Sequence, residues 1–303
     1  MTDQCLLGRV EGFDIAVAYG VVSATVGEAV RRHDCDPVAA HLLGRSIAAG
    51  VLAAASLGEG QRLNIRWAYE GLLRTIVVDS GPDGATRAFI APAQLGHAEN
   101  SDALYGASGS VQVIRTRKGA VVAHGSTNAE LLDVVDDLGY FLCMSDQTES
   151  ALAAMIALSS NPEKPVHICR GILLQALPGC DLARFQRVRD RLAAPAAREL
   201  LSRREESDSL VENILHAALA GEEAPSRITL KSGAAPRFQC SCTRAKMGSV
   251  LRALPYSERM DIVRKQEPVV VNCRFCGERY SLSIDECIQE WNRREDASPA
   301  TGT

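Results

Sequence analysis

A chain of 303 residues with 46% hydrophobic and 23% charged side chains can bury a sizeable core, and we expect two or three soluble globular domains. The formal net charge of −4 argues against a surface built throughout for nucleic acid, because phosphate binding requires an excess of basic residues. The first residues lack the cationic start and apolar core of a secretory signal, so we expect a cytoplasmic protein.

The chain opens with a predicted strand and two predicted helices. Apolar residues occupy alternate positions from Phe13 to Tyr19, which is typical of a strand. Thr25 and Glu28 have the spacing of a capping box before a short helix. His41 interrupts the apolar stretch 37–57, which therefore favours a packed core helix over a membrane span. The small residues that would let this helix approach its neighbours are Ala39, Ala40, Gly44, Ala48, Ala49 and Gly50.

A β-rich stretch follows the core helix. Apolar residues alternate from Leu63 to Tyr69, and Thr75–Val78 is β-branched. A turn is predicted at Gly81–Gly84, and residues Ala88–Ala91 are predicted as the strand that runs back after it. The pattern predicts an antiparallel meander.

The rest of the N-terminal part continues the same mixed pattern. One strand is predicted before Lys118-Gly119 and one after it, and a helix is predicted from about Asn128 to Asp137. The apolar run Gly171–Gly179 is expected to finish the sheet. We therefore predict an α+β fold in which residues 1–180 form a core domain with an antiparallel sheet.

The composition changes after Gly179. Residues 181–225 contain seven arginines and nine acidic residues with few aromatics, and their apolar stripe is narrow. Because packing supplies most of a helix's stability, we expect residues 181–236 to form a marginally stable helical linker domain. The apolar positions at helical spacing are Leu182, Phe185, Val188 and Leu192, then Leu210, Val211, Ile214 and Leu215.

Four cysteines dominate the C-terminal part of the chain. Cys240, Cys242, Cys273 and Cys276 supply the four soft ligands that a closed tetrahedral zinc site requires. Such a site leaves no open position for water, so we predict one structural Zn²⁺ per chain and no enzymatic activity. Residues 237–292 are predicted as the zinc-binding domain, and the polar residues 293–303 as a flexible tail.

The expected zinc domain is a small set of elements arranged around its ligands. A helix is predicted from about Arg244 to Leu254, and a second one opens at Ser257. Val269–Val271 reads as a strand that enters the second cysteine pair, and Tyr280 lies on the return strand. So small a module has little apolar core, and metal binding is expected to supply much of its folding free energy.

These residues carry a family resemblance. Cys-x-Cys, a spacer of about thirty residues and Cys-x-x-Cys followed by Tyr280 resemble the redox switch of the 33 kDa chaperonin family. Ser145–Ser150 is similar to the family's Ser-Glu-Gln-Thr segment, and Leu173–Gly179 to its Leu-x-Gln-x-Leu-Pro-Gly segment. The sequence departs from the family pattern at Cys143, Arg170 and the extra thiol Cys287. Further similar segments are Pro37-Val38-Ala39, Gly44-Arg45, Val77-Val78-Asp79 and Asp83-Gly84.

The resemblance implies a redox-regulated holdase that works without ATP. In the reduced form the four cysteines would bind Zn²⁺ and the chaperone would be inactive. Oxidation would release the metal and form the disulfides Cys240 with Cys242 and Cys273 with Cys276. The linker would then unfold, and the exposed apolar surface would bind unfolding client proteins and support a homodimer, whereas the reduced form would be a monomer. No nucleic-acid or membrane partner is expected.

Two other interpretations of the thiols remain open at this stage. A static zinc module for protein or RNA contacts would retain its metal on mild oxidation. A thiol oxidoreductase would use Cys273-x-x-Cys276, although such motifs usually stand at the start of a helix and here a valine strand precedes the motif. Cys169 and Cys180 are expected to be buried as small apolar residues, and Cys287 is either a core residue or a redox partner of the switch.

Overall fold

A computed structural model gives the structure of the chain and describes residues 2–203, 209–222 and 227–292. The chain divides into two compact units, Met1–Gln239 and Cys240–Thr303. The predicted tail 293–303 lies outside the described residues, as do parts of the predicted linker. The linker helices described below lie within the first unit, and their separation as a domain of their own stays a prediction.

The first unit contains both strands and helices. Its strands are β1 (Gln4–Glu11), β2 (Ile15–Val21), β3 (Gln61–Tyr69), β4 (Thr75–Ser80), β5 (Ala85–Ala91), β6 (Gly109–Arg117), β7 (Ala120–Asn128), β8 (Ser150–Leu158), β9 (Val166–Ala176), β10 (Arg227–Ser232) and β11 (Arg237–Phe238). Its helices are α1 (Ser23–Arg32), α2 (Pro37–Ala55), α3 (Ser101–Tyr105), α4 (Val134–Met144), α5 (Leu182–Ala193), α6 (Pro195–Ser202) and α7 (Leu210–Ala218).

The second unit is built from shorter elements. Its helices are α8 (Arg244–Val250), α9 (Tyr256–Lys265) and α10 (Ile284–Asn292), with a short 3-10 turn at Leu251–Ala253. Its strands are β12 (Val269–Asn272) and β13 (Arg279–Leu282), which pair with each other.

The predicted α+β class is confirmed. The first unit contains two mainly antiparallel sheets, where one sheet was expected. Sheet A has the strand order β10-β1-β2-β9-β8, and sheet B the order β11-β5-β4-β3-β6-β7. The predicted meander is the run β3-β4-β5 of sheet B. Within sheet B, β11 pairs with β5 in parallel and the other neighbouring strands are antiparallel.

Helix α2 is the centre of the larger hydrophobic core, as its small residues predicted. It packs on β8 and β9 of sheet A and on β4 of sheet B. A Cβ added at Gly44 would lie 2.5 Å from Ile156 Cδ1, and one at Gly50 would lie 2.7 Å from Val78 Cγ1. Both distances are shorter than real Cβ contacts, so a larger residue at either point would force the facing side chain to shift. The helix is long and apolar enough to cross a membrane, yet 72% of its most apolar window is buried in the protein.

Sheet A is covered on both faces. Alternate residues of β9 point in opposite directions, so Leu173 joins the core around α2 while Ile172 and Leu174 face the other side. On that second face Val17 of β2 lies opposite Leu174. This face carries a second hydrophobic core, and its cover is the set of helices α5, α6 and α7.

The expected narrow apolar stripe is found on two of the three described linker helices. Helix α5 buries three of its twelve residues and α6 two of its eight, whereas α7 buries five of its nine. The side chains buried in this second core are Phe185, Val188 and Leu192 of α5, Ala197 and Leu201 of α6, and Leu210, Val211, Ile214, Leu215 and Ala218 of α7. The docking of these helices therefore depends on a limited number of contacts.

Two local predictions for the first unit were wrong. Thr25 is not a helix cap, because α1 already begins at Ser23 and the carboxylate of Asp3 accepts hydrogen bonds from the backbone N–H groups of Ala24 and Thr25. The helix expected at 128–137 begins later, since β7 extends to Asn128 and the side chain of Asp133 caps α4.

Phe185 offers a test of how much the linker docking depends on its apolar stripe. Phe185→Ala removes a side chain that is 1% exposed, and we expect it to destabilise the packed helices by about 3–5 kcal/mol. Leu182 on the same helix is 58% exposed, so Leu182→Ala is the matched control and should change stability by less than about 0.5 kcal/mol. Hydrogen exchange of the amides in α5, α6 and α7 measures both effects. Equal protection in the two variants would contradict this account of docking.

An ion-pair cluster also fastens the linker helices. The carboxylate of Glu222, which follows α7, accepts hydrogen bonds from Arg187 at 2.8 and 2.9 Å and from Arg191 at 2.9 Å. Hydrogen bonds from these two guanidinium groups lower the pKa of Glu222 from its ordinary value of 4.5 to about 2. The segment after α7 is therefore tied to α5 by charge as well as by apolar contact.

The depressed pKa of Glu222 gives a pH dependence with a defined sign. A carboxyl group whose pKa is lowered by folding stabilises the folded state above about pH 4.5, and this contribution is lost as the pH falls toward about 2. We expect Glu222→Gln to reduce the protection of α5 and α7 amides at neutral pH, and the difference from the unaltered protein to shrink below about pH 4. Glu212→Gln, at an exposed position of α7, is the control. A difference that stays constant across this pH range would exclude the Glu222 carboxylate as its origin.

Candidate metal centre

The structure brings the four predicted cysteines together in the second unit. All four Sγ atoms lie within 4.8 Å of one another. Cys240 Sγ is 3.7 Å from Cys273 Sγ, and Cys242 Sγ is 3.4 Å from Cys276 Sγ. All four residues are free thiols in this structure.

These distances fit a tetrahedral metal site. Four sulfurs bound to zinc at about 2.3 Å lie about 3.8 Å apart, within the range found here. The donor set is purely thiolate, which favours Zn²⁺ over hard cations such as Mg²⁺ or Ca²⁺. The cluster is therefore suited to hold one soft or borderline cation in a closed site.

The Cys240-x-Cys242 arm leads directly into helix α8. The side chain of Thr243 caps this helix by accepting a hydrogen bond from the Lys246 N–H. The guanidinium of Arg244 donates to both carboxylate oxygens of Glu286, at 2.7 and 2.8 Å, and to the Ser281 carbonyl. The arm that carries the first cysteine pair is thus fastened to the hairpin and helix that follow the second pair.

The Cys273–Cys276 arm is a tight turn between β12 and β13. The Cys273 N–H donates to the Glu278 carbonyl at 2.9 Å, and the Gly277 N–H donates to the Cys273 carbonyl at 2.8 Å. Gly277 has a φ of +72°, a conformation that glycine adopts without the Cβ penalty of other residues. The motif lies on a strand turn and not at a helix start, which disfavours the oxidoreductase interpretation.

The pKa values of Cys240, Cys242 and Cys276 are shifted in different directions. Burial raises the pKa of Cys240 and of Cys276 above the ordinary thiol value. Burial acts in the same direction on Cys242, but hydrogen bonds from Tyr280 and from the neighbouring thiols outweigh it and lower the pKa of Cys242. Cys242 is therefore the sulfur that these neighbours best support as a thiolate.

The module around the cluster has little apolar core. Its fully buried apolar cluster consists of Leu251, Leu282 and Cys287, and helix α9 has no fully buried residue. The partly buried residues packed against this cluster are Leu254, Val269, Val271 and Trp291. Cys287 is 0% exposed and packs in this small cluster, which favours the core interpretation of that thiol over a redox partner. With so few apolar contacts, the four sulfurs and their ligand form the effective interior of the module.

The first unit contains five further thiols, of which two are buried and three are half-buried. Burial raises the pKa of Cys5 to about 11 and that of Cys35 to about 12, so both stay protonated and unreactive at neutral pH. Cys169 is 0% exposed, as predicted, whereas the expectation of full burial was wrong for Cys180, which is half-buried. Cys143 is half-buried on α4 and accepts a hydrogen bond from the Ser150 N–H at 3.4 Å.

Two contacts of the cluster could not be found from the sequence. The Arg244–Glu286 pair spans 42 residues, and the Cys242–Tyr280 contact spans 38. Tyr280 was singled out only as an aromatic residue on the return strand. Its hydroxyl lies 3.2 Å from Cys242 Sγ because β13 returns alongside β12.

Comparisons with known proteins agree over almost the whole chain. A family model described as Hsp33 protein matches residues 3–283. A protein from Pelobacter propionicus named 33 kDa chaperonin is 31% identical over 271 residues, which cover 88% of this chain and 86% of the relative. A protein of the same name from a Geobacter species is 30% identical over 305 residues, covering 97% of this chain and 100% of the relative.

A solved structure supports the fold. The crystal structure of the 33 kDa chaperonin from Thermotoga maritima matches this chain with a TM-score of 0.79 at 20% sequence identity. The match covers 96% of this chain and 98% of that one. Fold and sequence therefore lead to the same conclusion: this chain belongs to the Hsp33 family.

Proposed function

We propose that this chain is a redox-regulated chaperone that holds unfolding proteins without ATP and is switched by its four-cysteine cluster. The observation that carries the proposal is the cluster itself, with four free thiols within 4.8 Å of one another in a module that has almost no other core. Family membership supports the chaperone activity, and the chemistry of the cluster supports its control by oxidation.

In the reduced state, Cys240, Cys242, Cys273 and Cys276 would hold one Zn²⁺. Bound zinc keeps the four sulfurs deprotonated, the form of cysteine that oxidants attack. One thiolate of a pair attacks hydrogen peroxide, which gives a sulfenic acid and hydroxide. The second thiolate attacks that sulfur, forms the S–S bond and releases another hydroxide. Each pair loses two electrons, and one peroxide is reduced.

The proposed disulfides are Cys240 with Cys242 and Cys273 with Cys276. A closed pair no longer offers two thiolates to a metal, so oxidation of both pairs removes the ligand set. The module then loses its effective interior, and we propose that it unfolds. The Sγ–Sγ distances alone do not decide which cysteines form disulfides with each other, since all four atoms lie within 4.8 Å of one another.

The linker helices provide the surface that oxidation would uncover. We propose that α5, α6 and α7 undock from sheet A when the zinc module unfolds, because the helices are short and two of them, α5 and α6, bury few of their residues. Undocking would expose the second face of sheet A, which carries Val17, Tyr19, Ile172 and Leu174. A broad apolar face of this kind suits unfolded client chains of varied sequence, since apolar burial is non-directional. The same exposed surface would support a homodimer after oxidation, while the reduced form stays a monomer.

Metal content gives the first test of the switch. We expect the reduced protein to contain one zinc per chain, and Cys276→Ser to lose it because three thiolates and a hydroxyl replace the four-thiolate site. Cys287→Ser is the matched control, since it alters a thiol in the same module that is not part of the cluster. Colorimetric zinc release with a thiol-blocking reagent measures both. Zinc retained at full stoichiometry by Cys276→Ser would contradict the assigned ligand set.

Light scattering gives the test of function. A chemically unfolded client is diluted into buffer that contains the protein, either reduced and zinc-loaded or oxidised with peroxide at elevated temperature. We expect the oxidised form alone to suppress aggregation of the client, because only that form exposes the second face of sheet A. Addition of a reductant and Zn²⁺ should abolish the suppression.

The alternative outcomes are distinct. Equal suppression by both forms would establish a chaperone without redox control. Zinc retained after oxidation, with no suppression by either form, would point to a static zinc module that makes protein or RNA contacts.

A further inference from the structure

Tyr280 makes a contact with the metal cluster that the proposed switch does not yet use. Its hydroxyl oxygen lies 3.2 Å from Cys242 Sγ. Of the two tyrosines in the second unit, Tyr256 is 75% exposed at the start of α9, whereas Tyr280 is half-buried. One sulfur of the cluster therefore has a hydroxyl group beside it.

The position of Tyr280 is set by the hairpin. In the β12–β13 pairing, Tyr280 lies opposite Val271, two residues before the ligand Cys273. The antiparallel register thus carries the tyrosine back past the second cysteine pair to the sulfur of the first pair. The contact links the strand that follows the second cysteine pair to a cysteine of the first pair, and it does so without a metal ion.

The direction of this hydrogen bond follows from the chemistry of a metal site. A metal-bound thiolate has no proton, so its sulfur can only accept, and the Tyr280 O–H must donate. A hydrogen bond to a thiolate withdraws negative charge from the sulfur and makes it a weaker nucleophile. Outer-shell hydrogen bonds of this kind also hold a ligand in its binding orientation.

We propose that Tyr280 is a positioning residue that protects Cys242 from oxidation and thereby sets the oxidant threshold of the switch. The inference rests on the proposed function, in which oxidation of the cluster releases zinc. Cys240 provides an internal comparison, because it is also half-buried and lies two residues away, but it contacts Cys273 Sγ at 3.7 Å. Within the first pair, Cys240 should therefore be oxidised before Cys242.

Tyr280→Phe in the full chain is the direct test, since it removes the hydroxyl and keeps the ring. We expect zinc affinity to fall about tenfold, the low end of the range for lost outer-shell partners, and peroxide-triggered zinc release to become several-fold faster. Tyr256→Phe is the matched control and should behave as the unaltered protein does. Equal release rates for all three proteins would overturn the proposal.

A spectroscopic measurement separates this role from a structural one. In the cobalt-substituted full chain, the thiolate-to-cobalt charge-transfer band reports the electron density on the sulfurs. Loss of a hydrogen bond to one sulfur should move this band to lower energy in Tyr280→Phe and leave it in place in Tyr256→Phe. If Tyr280→Phe only loosened the packing of the module, its stability would change and the band would stay in place. An unmoved band would therefore overturn the proposal.

The unaltered protein provides a further test that does not depend on how the variant folds. Limited alkylation of the zinc-loaded chain, followed by peptide mass spectrometry, ranks the reactivity of Cys240 and Cys242. We expect Cys240 to react first, and faster modification of Cys242 would contradict the proposed protection. If peroxide fails to release zinc from any of the proteins, the proposed switch fails, whereas the cobalt band and the alkylation order still decide the role of Tyr280.

Discussion

The close approach of four cysteine sulfurs is the constraint on which the rest of the second unit depends. Four thiolates within 4.8 Å of one another repel strongly, so the arrangement persists only when a cation, protons or S–S bonds remove the charge. Each of these solutions gives the module a different interior, because its fully buried apolar cluster consists of Leu251, Leu282 and Cys287. In the proposed switch, control of the module's shape by the chemical state of sulfur follows from this small core.

The two faces of sheet A are covered by different elements. Helix α2 covers one face, and its glycines allow a close approach to the neighbouring strands. The other face is covered by three short helices, which together bury ten apolar side chains there and are held in part by the Glu222 ion pairs. In the proposed switch these helices are the cover that is released, so one sheet combines a side that preserves the fold with a side that becomes available for binding.

The parts of the structure that were predictable from sequence are those fixed by local pattern or by a motif. The grouping of the four cysteines, the small-residue helix α2 and the helical spacing of Phe185 and Ile214 belong to this class. The errors arose where distant residues decide the local structure. Asp3 caps α1 from about twenty residues away, so the pattern around Thr25 was misleading. Tyr280 meets Cys242 only after the hairpin forms, and no short-range pattern carries that contact.

The place of the linker helices in the strand order has a kinetic consequence. They lie between β9 and β10, and both of these strands belong to sheet A, with β10 paired to β1. An undocked linker would thus be a loop anchored at both ends and not a free tail. Loop closure limits the entropy that such a segment gains, and it keeps the helices at high effective concentration near the face they left. Redocking of the helices would be intramolecular and independent of protein concentration. A bound client would therefore compete with the linker helices for the same face of sheet A.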